Sequence, residues 1–130
     1  MRIARSMLDQ IIEQARAEAP DECCGMIASV DGEAVAVHPA SNAAHSPLRY
    51  EIDGKDQIRI FDAMDEAGHD LGAIYHSHTR SDPEPSQTDI NLAFYPDALY
   101  LIVGVAGEAD DVRAWTIRDG KVDQVELEVT

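Results

Sequence analysis

The amino-acid sequence predicts an α+β fold, an α/β/α sandwich in which helices flank one mixed β-sheet, within a single domain over residues 1–130. Apolar residues recur at helical spacing in two segments, and short apolar runs of strand length fill much of the remaining chain. Two Asp-Gly pairs each lie between two such runs, which is typical of β-hairpin turns. A chain of 130 residues also has the length of one domain.

Three helices are predicted. The first covers 6–19, where Ser6 and Asp9 have the spacing of a capping box and Pro20 ends the helix. The other two are predicted at 53–67, with Asp53 as N-cap and Gly68 as stop, and at 86–95, ended by Pro96. In the second helix the apolar positions expected to face the core are Ile58, Phe61 and Met64.

Apolar runs bounded by turn residues predict the strands of the sheet. Two hairpins are expected, with turns at Asp31-Gly32 and Asp119-Gly120. The predicted strands are 24–30, 33–37, 48–52, 71–75, 98–105, 112–118 and 122–129. Residues 39–47 and 79–85 are predicted to be loops because each contains two prolines.

Charge and composition exclude several classes of function. Ten basic and 25 acidic residues give a net charge of −15, which disfavours nucleic acid and anionic membranes as partners. No apolar run approaches the roughly 20 residues that span a bilayer, and no secretory signal begins the chain. The only cysteines, Cys23 and Cys24, are adjacent and cannot bridge without strain. These features predict a cytoplasmic protein.

A candidate metal site lies in the second half of the chain. His76 and His78 occupy positions i and i+2 at the end of a predicted strand, so both imidazoles point to the same side. Ser86 and Asp89 follow at the predicted start of a helix, a pattern that is also typical of a helix cap. If the intervening loop folds back, two His and one Asp hold a divalent metal and leave a fourth position for water.

Metal-dependent hydrolysis also needs a group that accepts the proton of the attacking water. Asp82 and Glu84 are interpreted as solvated loop charges. Glu22, between the first helix and a buried strand, is the better candidate, although spacing alone does not select it. Cys23 and Cys24 are soft zinc ligands in principle, but the two His and the Asp already complete an open site.

Taken together, these residues resemble the signature of the JAMM (MPN+) zinc metallopeptidases. The signature comprises Glu22, then His76-x-His78, seven residues, and Ser86-x-x-Asp89. The resemblance extends over essentially the whole chain, including the segments Pro-Asp-Glu-x-Cys-Gly and Ser-Asn-Ala. It is closest to the short bacterial branch that acts on ubiquitin-like sulfur-carrier proteins, some members of which release cysteine. Many members have Pro after the second histidine, whereas this chain has Thr79, as the cysteine-releasing actinobacterial proteins do.

The resemblance implies a cytidine-deaminase-like fold and a role for each residue of the signature. His76, His78 and Asp89 match the ligands of one zinc ion per chain. Glu22 matches the general base and Ser86 the donor to the oxyanion. The implied reaction is hydrolysis of the amide after the C-terminal Gly-Gly of a small carrier, releasing cysteine or a lysine-linked protein.

The loop over 42–50 is a candidate wall of the substrate site. The C-terminal tail of a carrier protein could bind there in an extended conformation, as a strand added to this loop. Substrate contacts are predicted at Asn42, Ser46, Arg49 and Tyr50. The loop at 79–85 is predicted to form the opposite side of the site or a lid.

Three alternative functions are open. A general deubiquitinase-like isopeptidase uses the same chemistry, but the chain lacks insertions that would wrap a folded ubiquitin. A non-catalytic MPN interaction module is disfavoured because all five positions of the signature are filled. A cupin-like metal oxygenase is disfavoured by the helical patterns at 6–19 and 53–67.

Overall fold

The computed structural model describes residues 1–130 and contains three helices and eight strands. The helices are α1 (Arg5–Glu18), α2 (Gly54–Ala67) and α3 (Gln87–Asn91). The strands are β1 (Arg2–Ile3), β2 (Cys24–Val30), β3 (Glu33–Ala40), β4 (Asp70–His78), β5 (Leu99–Gly104), β6 (Asp111–Arg118), β7 (Lys121–Val125) and β8 (Glu128–Val129). They form one mixed sheet in the order β7-β6-β5-β4-β2-β3-β1-β8, which confirms the predicted α+β class.

The sheet is curled. β7 and β8 are its two edge strands, yet only two residues separate Val125 from Glu128. Three Cα steps span at most about 11 Å, so the two edges must approach each other. Helix α1 packs on one face with Tyr75, Leu101 and Val103, and Val125 and Leu127 pack against the same cluster. α1 therefore lies inside the curl.

Helix α2 packs on the opposite face. Ile60 and Met64 contact a second apolar cluster built from alternate residues of the central strands. Along β4, Ala73 and Tyr75 belong to the α1 cluster and Ile74 to the α2 cluster. Because side chains alternate along a strand, His76 and His78 continue on the α2 face.

Both hairpins are confirmed, and so is the second helix with its two ends. The Asp53 carboxylate accepts hydrogen bonds from the backbone N–H groups of Lys55 and Asp56, and Gly68 adopts φ 70° at the C-terminus. The prediction that Ile58 faces the core is wrong, since its side chain is 66% exposed. The buried stripe of α2 runs through Ile60 and Met64, which are four residues apart.

The predicted capping box at Ser6 is also wrong. α1 begins at Arg5 after Ala4, whose side chain makes no cap, so Ser6 lies inside the first turn. Asp9 instead forms an ion pair with Arg5, at 3.1 Å. The end of the helix at Glu18, just before Pro20, agrees with the prediction.

Other boundaries differ because of long-range pairing. β4 continues past 75 to His78, since β2 and β5 pair with it along that length. Residues 48–52 do not form a strand, and only an isolated bridge joins Asn42 to Ile52. α3 ends at Asn91 rather than at 95. The predicted strand 122–129 is divided between β7 and β8, and β8 pairs with β1, which was not predicted.

The structure contains no helix with the length and apolar composition needed to cross a membrane.

Gly25 permits the close approach of β2 to β4. It pairs with Tyr75, and a Cβ added at Gly25 would overlap the Tyr75 ring. The Tyr75 hydroxyl donates to Gln14 on α1 at 2.5 Å, so the ring is held in place. Gly25→Ala is therefore expected to reduce the free energy of unfolding by about 1–3 kcal/mol, measured by urea denaturation. Gly54→Ala is the control, because its Cβ meets nothing within 4 Å.

Candidate metal centre

Three side chains converge where β4 ends. His76 and His78 point to the same side of β4, and Asp89 enters from the first turn of α3. The two Nε2 atoms are 3.2 Å apart. Oδ2 of Asp89 lies 3.2 Å from Nε2 of His76 and 3.0 Å from Nε2 of His78. All three residues are buried, so their polar atoms need one another or a shared partner.

These separations fit a metal ion. For a tetrahedral zinc with bonds of about 2.0–2.2 Å, ligand atoms lie about 3.3–3.6 Å from each other. The three observed distances lie just below this range. Two imidazoles and one carboxylate are also the donor set of an open catalytic zinc site.

The hydrogen bond at Nδ1 of His78 determines which of its ring nitrogens can bind a metal. Its Nδ1 lies 2.8 Å from the carbonyl oxygen of Asp82, which can only accept a hydrogen bond. Nδ1 therefore carries a proton, and Nε2 is the nitrogen that faces Asp89 and can bind a metal once it is deprotonated. Burial lowers the pKa of His78, but the hydrogen bonds to Asp89 and Asp82 raise it overall.

His76 is fully buried, and burial lowers its pKa, which favours the neutral imidazole that binds metal. Its Nδ1 has no hydrogen-bond partner. The ring stacks on Tyr50, with ring centroids 4.3 Å apart and planes 21° from parallel. Stacking on Tyr50 thus takes the place of a hydrogen bond at Nδ1 in orienting this ligand.

Asp89 is both a cap and a candidate ligand. Its backbone N–H donates to Oγ of Ser86 at 3.0 Å, and its Oδ2 accepts from the backbone N–H of Ser86 at 2.9 Å. This confirms the predicted capping box. Although burial opposes it, the hydrogen bonds from His76 and His78 hold the pKa of Asp89 well below its usual range.

Glu22 is a second buried carboxylate beside this cluster. Its side chain is 3% exposed, and Oε1 has no hydrogen-bond partner. Ligand atoms of Glu22, His76 and His78 lie within 4.8 Å of one another, so these three residues could also hold a metal ion. Burial raises the pKa of Glu22 to about 8. A carboxylate with this environment suits proton transfer near neutral pH.

Hydrogen bonds hold the backbone around Glu22 on both sides. Its N–H donates to the carbonyl of Ser46 at 2.9 Å, and its carbonyl accepts from Nδ2 of Asn42 at 3.0 Å. The next residue, Cys23, donates its N–H to Oγ of Ser77 at 2.8 Å. Ser77 lies between the two histidines on β4 and its side chain joins their strand to the Glu22 segment.

Asn42 has no polar atom left for a substrate. Besides Glu22, its amide donates to the carbonyl of Arg49 at 3.1 Å, and its Oδ1 accepts from the N–H groups of Ala44 and Glu51 at 3.0 Å each. These four bonds use the full capacity of the side chain. Asn42 therefore organises the loop around Glu22.

Asn42→Asp is expected to reduce the free energy of unfolding by about 1–3 kcal/mol. The carboxylate retains the two accepted bonds but leaves the carbonyls of Glu22 and Arg49 facing a negative charge. Thermal or urea denaturation measures the change. Asn91→Asp, at an exposed position, is the matched control, and equal stability of the two variants would contradict this account of Asn42.

The other predicted substrate contacts occupy the same loop. Oγ of Ser46 accepts from the N–H of Leu48 at 3.0 Å. The Arg49 side chain is exposed and lies 4.0 Å from Glu51. The structure thus places Tyr50 against a histidine, while Arg49 is at the surface. The role of Tyr50 as a stacking partner was not predicted, because no pattern in the sequence indicates it.

The loop at 79–85 is pinned at several points. The Thr79 hydroxyl donates to the carbonyl of Pro20 at 2.8 Å, and Nε1 of Trp115 donates to the carbonyl of Pro83 at 3.0 Å. Glu84 forms an ion pair with Arg113, at 3.1 Å. These contacts tie the loop to the segment before β2 and to β6.

The two cysteines are free, buried thiols. Burial raises the pKa of Cys23 and of Cys24 to about 12, which disfavours the thiolate that binds metal. Neither belongs to the metal-capable group of Glu22, His76 and His78.

Residues 4–118 match the family model described as prokaryotic homologs of the JAB domain. The CysO-cysteine peptidase of Mycobacterium tuberculosis is 35% identical over 130 residues, covering 98% of this chain and 89% of that protein. The desampylase of Haloferax volcanii is 39% identical over 115 residues, covering 85% and 81%.

Solved structures share the fold. A protein from Desulfitobacterium hafniense has a TM-score of 0.90 at 26% identity, covering 100% of this chain and 93% of that one. A JAB1/MPN domain protein from Archaeoglobus fulgidus has a TM-score of 0.65 at 21% identity, covering 100% and 96%.

Proposed function

The chain belongs to the family of prokaryotic JAB-domain homologues, and on that premise we propose a zinc-dependent hydrolase that cleaves conjugates of a small ubiquitin-like sulfur-carrier protein. The bond cleaved is the amide after the carrier's C-terminal Gly-Gly. The observation that carries the proposal is the convergence of Asp89, His76 and His78 next to the buried carboxylate of Glu22.

In this proposal His76, His78 and Asp89 hold one zinc ion. When bound, zinc lowers the pKa of a water ligand and polarises the scissile carbonyl. Asp82 keeps His78 in the required tautomer through its carbonyl, and Ser86 orients Asp89 through its N–H. Both contacts are of the kind that orients metal ligands.

Glu22 acts as the general base. Its carboxylate accepts a proton from the attacking water and then delivers it to the nitrogen of the leaving amine. The absence of a hydrogen bond to Oε1 supports this role, because that oxygen is available to the water. The hydrogen bonds of Glu22 with Ser46 and Asn42, and of Cys23 with Ser77, restrain the backbone at this position. The Glu22 carboxylate therefore has to move little during the reaction.

Ser86 donates to the oxyanion. Its Oγ accepts from the N–H of Asp89, so the hydroxyl proton is free to donate elsewhere. Ser86 is exposed while Asp89 is buried, which places the hydroxyl at the mouth of the site. Oxyanion donors of this kind contribute about 3–4 kcal/mol to transition-state stabilisation.

The substrate tail lies along the segment 50–52. The backbone N–H and C=O groups of Tyr50 and Ile52 make no hydrogen bond within the chain, whereas those of Glu51 pair with Ala43 and Asn42. This segment therefore has one free edge on which an extended peptide can add as a strand.

The released group is cysteine in one version of this proposal and a lysine-linked protein in the other. The relatives named above include a CysO-cysteine peptidase and a desampylase, at similar identity. The Thr after the second histidine favours cysteine release, because that residue is shared with the cysteine-releasing branch.

The test is hydrolysis of two conjugates of one carrier protein, joined through its C-terminal glycine either to cysteine or to the Nε atom of a lysine. We expect mass spectrometry to show cleavage after Gly-Gly, loss of activity with a chelator, and recovery with Zn²⁺. Elemental analysis should give one zinc per chain. A metal-loaded protein that cleaves neither conjugate would instead indicate a non-catalytic interaction module.

A further inference from the structure

A groove of about 460 Å³ opens on the α2 face beside the metal centre, and we call it the Tyr50 groove. Its floor is formed by Met26, Ile74 and Tyr100 of the sheet, and its walls include Tyr50, Leu92 and Phe94. On the premise of the function above, we propose that it binds an apolar side chain of the carrier's tail, third or farther before the scissile carbonyl. None of the catalytic residues lines it.

The lining of the groove selects an apolar occupant. Leu92 is 43% exposed and Phe94 71% exposed, although both are large apolar residues. Exposed apolar residues that cluster at a groove mark an interaction site. Among the polar side chains, Gln57 donates to the Tyr95 hydroxyl at 2.9 Å, and the Tyr100 hydroxyl accepts from the N–H of Tyr95 at 3.1 Å. Arg49 and Glu51 also line the groove and lie 4.0 Å from each other. An apolar side chain leaves none of these groups unsatisfied.

The groove is continuous with the catalytic centre. Tyr50 forms its wall and also stacks on His76. Tyr50 and Ile52, whose backbone groups form the free edge, both line it. A peptide added to this edge points alternate side chains to the same face. Main-chain pairing would then supply affinity, and the groove would supply selectivity.

The tail fits the groove better than the leaving group does. A released cysteine carries a carboxylate, which does not suit an apolar lining. The two glycines offer no side chain, so the first available one is third from the scissile carbonyl. In an extended chain that residue lies roughly 7–10 Å away, at about 3.3 Å per residue.

The test uses two fluorogenic peptides, one ending in Leu-Gly-Gly and one in Ala-Gly-Gly, each joined to an aminocoumarin. Phe94→Ala removes part of the groove wall. Gly54 also lines the groove, and a Cβ there meets nothing within 4 Å, so Gly54→Leu adds a side chain that occupies the groove. Both variants are expected to raise KM about tenfold for the Leu peptide and to leave the Ala peptide unchanged. Ile58→Ala and Gly107→Leu, at exposed sites outside the groove, are the matched controls.

A second measurement separates this proposal from the catalytic one. Binding of the uncleaved Leu and Ala peptides to Glu22→Gln reports on the groove even if no conjugate is hydrolysed. Tighter binding of the Leu peptide that Gly54→Leu abolishes supports the groove. Equal binding of the two peptides, or groove variants that change both alike, would overturn it.

Discussion

Glu22→Gln is expected to lower kcat by about 10²–10⁴-fold while one equivalent of metal stays bound. Glutamine has nearly the same shape as glutamate but cannot accept the proton of the attacking water. The proposed ligands are His76, His78 and Asp89 rather than Glu22, so metal affinity should be unchanged. Steady-state kinetics and elemental analysis of the same preparation measure both quantities. Wild-type turnover in this variant would remove Glu22 from the mechanism.

The pH profile provides an independent check on Glu22. Burial raises its pKa to about 8, with a smaller contribution from Asp89 and an opposing one from His78. The base must be deprotonated, so activity is expected to fall as the pH drops through this pKa. A nearby dication favours the carboxylate, which moves the acidic limb of kcat/KM below pH 8. An activity independent of pH between 4 and 8 would contradict this role.

The same carboxyl group destabilises the metal-free fold at high pH. Its folded-state pKa of about 8 lies above the ordinary value of 4.5, so the folded protein binds the proton more tightly. The contribution of Glu22 to stability is then largest below pH 4.5 and is lost as the pH rises to 8. With a chelator present, Glu22→Gln should have a higher Tm than the wild type at pH 8 and the same Tm at pH 4.

Asp89→Asn is expected to weaken metal binding by at least about 100-fold and to abolish activity. The amide oxygen can still accept from the N–H of Ser86, so the cap of α3 is retained. The negative charge between the two imidazoles is lost, however, and a neutral amide is a poor ligand for zinc. Competition with a chromogenic chelator measures the affinity.

Asp82→Asn is the matched control for this variant. Asp82 lies in the adjacent loop with an exposed side chain, and it contacts His78 only through its backbone carbonyl. Its metal affinity should therefore equal that of the wild type. Equal affinity in Asp89→Asn and Asp82→Asn would exclude Asp89 as a ligand and leave Glu22 as the third donor.

Local patterns predicted the parts of the site that depend on local geometry. His76 and His78 share a side because strand side chains alternate, and Ser86 and Asp89 cap α3 because their spacing matches one helical turn. Predictions failed where long-range pairing decides the structure. Residues 48–52 have the composition of a strand, but hydrogen bonds from Asn42 hold this segment as a loop.

The sequence by itself determined the α+β class, both hairpins, the histidine pair and the cap that carries Asp89, since each depends on residues a few positions apart. Only the tertiary structure decided how Glu22 meets the histidines 54 and 56 positions later. The antiparallel register of β2 and β4, which pairs Cys24 with His76, brings them together. Without that pairing no spacing selects Glu22, which only the family resemblance indicated. The stacking of Tyr50 on His76 and the groove beside it likewise arise from contacts between distant segments, which no local pattern encodes.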